Sequence, residues 1–469
     1  MSSEITLPLW AFVILSGLSI WSLLEKFFFP SLEWFVKRKL RLMVEKLNTK
    51  LALKIRPFKL TKRQVLIDRL MFDPAVLEEM EKISKAEGIS QGLLSKRVKQ
   101  FAREIVPAFN VYFYFRIGYA LSRWIGKWLY RVRLTYQNEG SISKIPEQSA
   151  VIFVMNHRSN MDYVLVSYLV AEKMALSYAV GEWARIWPLQ QMVRAMGAFF
   201  VRRASGDKLY RTVLERYIHM ATEARVTQAI FVEGKLTRNG LIQEPKLGLL
   251  DYISKSFNPQ GEQDLYFIPI GLNYDRVLED RTLIQKDDIP KKGTFFATLK
   301  TIKFIFHNFF LMIKQKWFRF GYAVVNFGQP ISLKDWMENE KLNLSTLEKE
   351  ERFKYVKKLA DEVTEKISRA VPTTPVSLVA EVFIQNQEKD LSLYEIKVKC
   401  HELQVLIKKE GGIIYLPRGE EDYTISVGLR MLTLRHMVLE RDGLFKINPN
   451  EKDLLNYYSN SIKQFFNKE

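Results

Sequence analysis

From Gly140 onward, five short β-prone runs alternate with amphipathic stretches, and this alternation restricts the fold more than any other feature of the chain. The runs are residues 150–155, 198–202, 228–232, 265–270 and 322–327; residues 208–225 form one of the amphipathic stretches between them. A strand repeats every two residues and a helix every 3.6, so a chain that keeps switching period builds helices onto a sheet. The expected architecture is α/β, a central mixed sheet flanked by helices, over residues 141–371. A basic, aromatic helical region (30–140) precedes it. Pro372, Thr373, Thr374 and Pro375 read as a linker to a C-terminal helical domain at 372–469.

The first 29 residues read as a transmembrane anchor. Residues 5–24 carry no charge. As a helix they are about 30 Å long, which matches a bilayer core. Lys26 and three phenylalanines border the run, and Lys37, Arg38, Lys39, Arg41 and Lys46 follow, so the positive-inside rule places everything after Pro30 in the cytoplasm. Only Glu4 carries charge ahead of the run and no small-residue cleavage site follows, unlike a secretory signal. A core helix buried in protein is the alternative. Residues 109–131 interleave Tyr112, Trp124 and Trp128 with Arg116, Arg123 and Lys127, which suits either the lipid headgroup region or a helix packed on the next domain. Residues 295–320 repeat that texture.

Lysine and arginine number 71 against 52 acidic residues, a net charge of +19. Such a balance favours a polyanionic partner, and the apolar N-terminus favours a phospholipid bilayer and phosphorylated substrates over nucleic acid. The one cysteine, Cys400, excludes an internal disulfide and a multi-cysteine zinc site. Any histidine chemistry comes from five residues, His157, His219, His307, His401 and His436. None has partners at metal-ligand spacing, so no metal and no cofactor is expected.

After the first β-prone run the chain reads Asn156-His157-Arg158-Ser159-Asn160-Met161-Asp162-Tyr163, then an apolar helix. A histidine at a strand end with an aspartate five residues on can form a His–carboxylate pair, the aspartate fixing the tautomer of a general base. The competing reading has Asn156 or Ser159 capping the helix and His157 incidental. No Gly-x-Ser-x-Gly elbow and no Gly-Lys-Ser/Thr phosphate loop occurs. A base without a protein nucleophile points to activation of a substrate hydroxyl. Two further strand ends carry cations: Arg202 and Arg203, followed by Lys208, and Glu233-Gly234-Lys235-Leu236-Thr237-Arg238. Guanidinium forks match phosphate oxygens, and in open α/β sheets the ligand crevice lies at the carboxyl ends of the strands.

On these residues the chain resembles the glycerol-phosphate acyltransferase superfamily, within it the bacterial membrane-bound glycerol-3-phosphate acyltransferases and their dihydroxyacetone-phosphate relatives. The first block is Asn156-His157-Arg158-Ser159 to Asp162-Tyr163. The second is Gly197-Ala198-Phe199-Phe200-Val201-Arg202-Arg203 with Lys208. The third is Phe231-Val232-Glu233-Gly234 to Arg238, and the fourth is Ile268-Pro269-Ile270 running to Tyr274. Asn326 to Ile331 resembles the strand-ending turn that follows, and Asn448-Pro449-Asn450 with residues 455–462 resembles the subgroup's tail. The third block departs from the usual pattern, with Leu236 in place of an arginine and Lys235 in place of a small residue.

The resemblance implies that His157, oriented by Asp162, deprotonates the sn-1 hydroxyl of glycerol 3-phosphate. The alkoxide then attacks the thioester of acyl-CoA or acyl-carrier-protein, the first step of phospholipid synthesis. It also implies that Arg158, Ser159, Phe200, Arg202, Arg203, Lys208, Glu233, Gly234, Lys235, Arg238 and Pro269 bind substrate. The enzyme would be single-pass, on the inner membrane if bacterial. Lysophosphatidic acid, dihydroxyacetone phosphate or a lysolipid is the alternative acceptor. The reading from another class is a catalytically silent basic protein that binds membrane or nucleic acid.

Overall fold

A computed structural model describes residues 8–23, 29–284 and 320–466, apart from 52, 138, 139, 141, 172, 173, 186, 203, 204 and 262. The core of the molecule is an eight-stranded mixed sheet. Its strands are β1 (Arg131–Tyr136), β2 (Ala150–Met155), β3 (Ser177–Val180), β4 (Phe199–Phe200), β5 (Gln228–Phe231), β6 (Leu265–Tyr274), β7 (Tyr322–Phe327) and β8 (Ile331–Ser332). The order is β1-β7-β6-β2-β5-β3-β4, with β8 pairing β6. Strands β6, β2, β5, β3 and β4 run parallel, and β7 turns antiparallel to β6. All five expected runs are strands, although β4 is shorter than expected and β6 longer. Three strands were not expected, among them the two-residue β8. Strand β1 has the sequence Arg-Val-Arg-Leu-Thr-Tyr, whose alternating charge suits a sheet edge but had been absorbed into the basic helical region. Strand β3 is four residues long, too short to show a period.

Both faces of the sheet are covered, as parallel strands require. Alternation along β2 sends Val151, Phe153 and Met155 to one face and Ala150, Ile152 and Val154 to the other. Helices Met161–Val170 and Pro375–Gln385, with the C-terminal segment, cover the first face. Helices Arg63–Met71, Gln91–Ile105, Lys208–Glu223 and Lys349–Ala370 cover the second. Segments from both ends of the chain therefore complete the core of the central sheet.

The expected linker is a correction. Thr373 and Thr374 are wholly buried. The Thr373 N–H donates to Ile413 O at 2.7 Å, and Thr374 and Ser377 form a capping box on the following helix. Proline here starts a helix in the core rather than loosening the chain. The C-terminal region is also not purely helical, since β9 (Leu391–Ser392), β10 (Val438–Arg441) and β11 (Leu444–Ile447) form an antiparallel sheet.

Within the apolar N-terminal run the described helix is Leu9–Leu23, 15 residues or about 22 Å. Residues 5–7 and 24 lie outside the described residues. No helix among the described residues is long and apolar enough to cross a membrane. Leu9, Trp10, Phe12, Val13, Ile14 and Leu18 on this helix are all exposed. The 109–131 stretch divides into a π-helical turn (Phe113–Gly118), a helix (Tyr119–Leu129) and the start of β1. Tyr114 and Tyr130 are buried while Tyr112 and Trp124 are exposed. The second aromatic, basic stretch lies outside the described residues except for Phe320, which is buried.

Candidate active site

The carboxyl end of β2 sits at mid-sheet, between β6 and β5. At its end Asn156 bridges to β6: its Nδ2 donates to Leu272 O at 2.9 Å and its Oδ1 accepts from Leu272 N–H at 2.8 Å. The strand is pinned one residue before His157, which therefore leaves the sheet edge in a fixed direction. The His157 backbone is held by the loop that follows β5. Its N–H donates to Glu233 Oε1 at 2.9 Å, and its carbonyl accepts from Thr237 N–H at 3.0 Å.

Asp162, in the first turn of helix Met161–Val170, is wholly buried. Its Oδ2 meets His157 Nδ1 at 2.9 Å and accepts from the N–H groups of Arg158 (2.8 Å) and Ser159 (3.1 Å). Its Oδ1 accepts from the Tyr274 hydroxyl at the end of β6. Four donors on one buried carboxylate fix its orientation. The Nδ1 contact makes Nδ1 the donor and leaves Nε2 as the basic nitrogen. No hydrogen bond engages Nε2 among the described residues. The imidazole stacks on Phe231, with ring centroids 3.9 Å apart and an interplanar angle of 24°, and Tyr163 meets it edge-on at 5.6 Å. A ring tied at Nδ1 and clamped on its face can move a proton only at Nε2.

Neither Asn156 nor Ser159 is the N-cap of the helix; that residue is Asn160, and its side chain makes no cap bond. Ser159 Oγ accepts from Met161 N–H at 3.1 Å, a local helix-start bond, and donates to Glu279 Oε2 at 2.7 Å. Glu279 also accepts from the N–H and side chain of Asn160. Burial raises the pKa of Glu279.

Burial is the main influence on Glu233 and pushes its carboxyl up to about 7, against the lowering effects of the His157 N–H and of Arg158. An unfolded chain loses that proton near 4.5. Folding therefore takes up a proton between those values, and the stability carried by the protonated carboxyl is lost as pH rises through that window. Raising the pH from about 5 to about 8 should destabilise the wild type more than Glu233→Gln, by on the order of 1–3 kcal/mol. Denaturant titrations at the two pH values measure this, and parallel pH dependences in the two proteins would contradict it.

Several residues expected to touch substrate are buried and bonded to the scaffold. Arg158 is buried; its Nη1 donates to Gly240 O and its Nη2 to Ser461 O at 3.4 Å, tying the third-block loop to the C-terminal segment. Glu233 is buried as a backbone acceptor, since its Oε2 also accepts from Gln243 N–H at 3.1 Å. Ser159 is buried against Glu279. Phe200 lies in the core under the Arg194 guanidinium at 5.1 Å. Pro269 is paired with Val154 in mid-sheet. Its carbonyl accepts from Gly328 N–H at 2.8 Å, so its missing N–H faces the β7–β8 turn, where a ladder bond is not needed. Gly234, at φ +66°, makes the turn after β5.

The exposed cations are Lys208, Lys235 and Arg238. Arg203 lies outside the described residues. Arg202 follows β4, three strands from β2 and so roughly 14 Å across the sheet; it is paired with Glu104. Sequence reasoning missed Tyr274, Glu279 and Glu104 as members of this assembly. Tyr274 alone had a signal, as the end of the fourth block.

A pocket of about 250 Å³ lies elsewhere. It is lined by Phe58, Lys59, Phe109, Ser177 and Tyr217, among others, at the amino-terminal start of β3. Lys59 there donates to Ala175 O and Leu176 O, and burial lowers its pKa to about 7.

Comparison with known proteins adds two matched regions. Residues 136–273 match the family described as Acyltransferase, and residues 307–469 match the Glycerol-3-phosphate acyltransferase C-terminal region. Glycerol-3-phosphate acyltransferase from Pasteurella multocida is 24% identical over 431 residues, covering 87% of this chain and 51% of that protein. The protein of that name from Pseudomonas syringae pv. tomato is 27% identical over 421 residues, covering 86% of this chain and 48% of its own. That from Pseudomonas fluorescens Pf-5 is 28% identical over 424 residues, with coverages of 86% and 48%. The chain spans about half the length of the curated relatives it matches. Among solved structures, the 1-acyl-sn-glycerophosphate acyltransferase of Thermotoga maritima is 15% identical, with a TM-score of 0.32, over 65% of this chain and 97% of that one.

Proposed function

We propose, from the premise that this is a glycerol-3-phosphate acyltransferase-like chain, that it transfers a fatty acyl group from a thioester to the sn-1 hydroxyl of glycerol 3-phosphate. The observation that carries the proposal is the His157–Asp162 pair: a buried imidazole tied at Nδ1, at the carboxyl end of a central strand, with no hydrogen bond to Nε2 among the described residues. His157 Nε2 takes the proton of the acceptor hydroxyl as its oxygen attacks the thioester carbonyl. The carbon–sulfur bond breaks, the new ester forms, and the imidazolium returns the proton to the departing thiolate. Asp162 stabilises the imidazolium in between. Acyl-CoA or acyl-carrier-protein serves as donor, and no cofactor takes part.

Lys235 and Arg238, in the loop after β5, and Lys208, at the start of helix Lys208–Glu223, supply exposed positive charge for the acceptor phosphate. Residues 5–24 anchor the chain to a bilayer with the catalytic region on the cytoplasmic side. The exposed apolar side chains of helix Leu9–Leu23 support that placement. One reconstitution tests the whole reading. Full-length protein should float with phospholipid vesicles and acylate glycerol 3-phosphate in preference to lysophosphatidic acid or dihydroxyacetone phosphate. Arg238→Ala and Lys235→Ala should raise the acceptor KM by roughly tenfold or more, with the thioester KM nearly unchanged. Acceptor KM values within about twofold of wild type in both variants would move the phosphate site elsewhere. Preference for a lysolipid would replace the acceptor.

A further inference from the structure

Arg202 is held more tightly than a surface arginine. Its Nε donates to Glu104 Oε1 at 2.8 Å and its Nη2 to Oε2 at 2.6 Å, a two-pronged pair. Its Cζ lies 5.0 Å from the Phe101 ring centroid and 4.9 Å from that of Tyr210. The Tyr210 hydroxyl accepts from the Arg202 N–H at 2.9 Å and donates to Phe200 O at 3.3 Å, which fixes the backbone beneath. Nη1 makes no hydrogen bond among the described residues, and the side chain is 28% exposed.

Glu104 lies next to the end of helix Gln91–Ile105, outside all four sequence blocks. It also pairs with Arg185, and its backbone carbonyl accepts from Arg194 Nη2 at 3.1 Å. The Nε groups of Arg185 and Arg194 are buried without a hydrogen-bond partner among the described residues. Two arginines thus meet the Glu104 carboxylate and a third meets its backbone carbonyl, leaving excess positive charge at the carboxyl end of β4. Glu104 alone would be raised by burial, but Arg202 and Arg185 hold it charged and below its ordinary value.

We infer that Glu104 is a positioning residue: by gripping one edge of the Arg202 guanidinium between two aromatic rings, it presents the opposite edge to a substrate phosphate. The inference rests on the proposed acyl transfer. Ordering a long side chain costs free energy on binding, and a guanidinium already fixed by a carboxylate and two rings has met that cost before the ligand arrives. The phosphate belongs either to the acceptor or to the carrier of the thioester. Arg202 stands three strands from His157, so the kinetics must separate the two.

The test uses full-length protein in phospholipid vesicles, with glycerol 3-phosphate and palmitoyl-CoA varied in turn. Glu104→Gln should raise the KM of one of these substrates by roughly tenfold, with a smaller fall in kcat. A rise for glycerol 3-phosphate assigns Arg202 to the acceptor, and a rise for palmitoyl-CoA assigns it to the donor. Arg202→Ala should raise the same KM, and Glu104→Gln added to Arg202→Ala should make it no worse, because one residue acts through the other. If both KM values stay within about twofold of wild type, or if the two effects add, Glu104 is only a tie between helix and sheet. A wild type that acylates no phosphorylated acceptor would instead defeat the proposed function itself. Circular dichroism of each variant confirms that it is folded.

Discussion

Alanine at His157 should lower acyl transfer by roughly 100- to 10,000-fold while leaving the protein folded. No hydrogen bond reaches Nε2 from the described residues, so the loss of the ring removes a proton acceptor, one face of the Phe231 stack and the Nδ1 bond to Asp162, whose Oδ2 keeps the N–H groups of Arg158 and Ser159, but no part of a ladder. Asp162→Asn should fall in the same range for a different reason. An amide in place of Oδ2 no longer fixes the Nδ1–H tautomer, so Nε2 ceases to be the base. Tyr274→Phe grades the series. It removes one donor from Asp162 Oδ1, and a single hydrogen bond to a charged group is worth roughly 10- to 150-fold at most. Initial rates with saturating thioester, alongside thermal unfolding of each variant, measure the ordering. His157→Ala turnover within a few-fold of wild type would remove His157 as the base. Tyr274→Phe as damaging as Asp162→Asn would mean that the tyrosine does more than orient its neighbour.

A glycine far from His157 in sequence should be nearly as consequential, through stability. Gly240 closes the third-block loop at φ +82°. A Cβ there would lie 1.9 Å from the carbonyl oxygen of Tyr457 and 2.8 Å from its carbon, so backbone must move. Its own carbonyl accepts from Arg158, and beside it the Asn460 side chain donates to Asn239 O at 2.8 Å. Gly240→Ala therefore combines a left-handed conformation with a backbone clash, at an expected cost of more than about 3 kcal/mol. The C-terminal segment would part from the loop that holds His157 through Glu233 and Thr237. Activity should be lost together with cooperative unfolding, whereas His157→Ala loses activity alone. Unfolding titrations separate the two. A Gly240→Ala protein within about 0.5 kcal/mol of wild type would show that the C-terminal segment moves aside cheaply.

The contrast between these two predictions follows the division between local and distant information. His157 and Asp162 were legible because one strand, one turn and the first turn of one helix bring them together over five residues. The parallel strands were legible for the same reason, since β2, β5 and β6 are short apolar runs whose neighbours break the pattern. The roles of Arg158, Glu233 and Pro269 were not. A charged or conformationally restricted residue inside a motif looks like a ligand contact, and only the structure shows that Arg158 and Glu233 also tie backbone segments together and that Pro269 pairs in mid-sheet.

By itself, the sequence determined the α/β class, the strand-end histidine with its aspartate, and the basic loops that end the strands, all set by periodicities and spacings within about a dozen residues. The tertiary structure decided which groups finish the site. Tyr274 reaches Asp162 across 112 residues, Glu279 reaches Ser159 across 120, Glu104 reaches Arg202 across 98 and Ser461 reaches Arg158 across 303. No local pattern marks such pairs. They exist because parallel strands place the ends of distant segments side by side at one edge of the sheet, and because buried polar groups there must find partners wherever the packing supplies them.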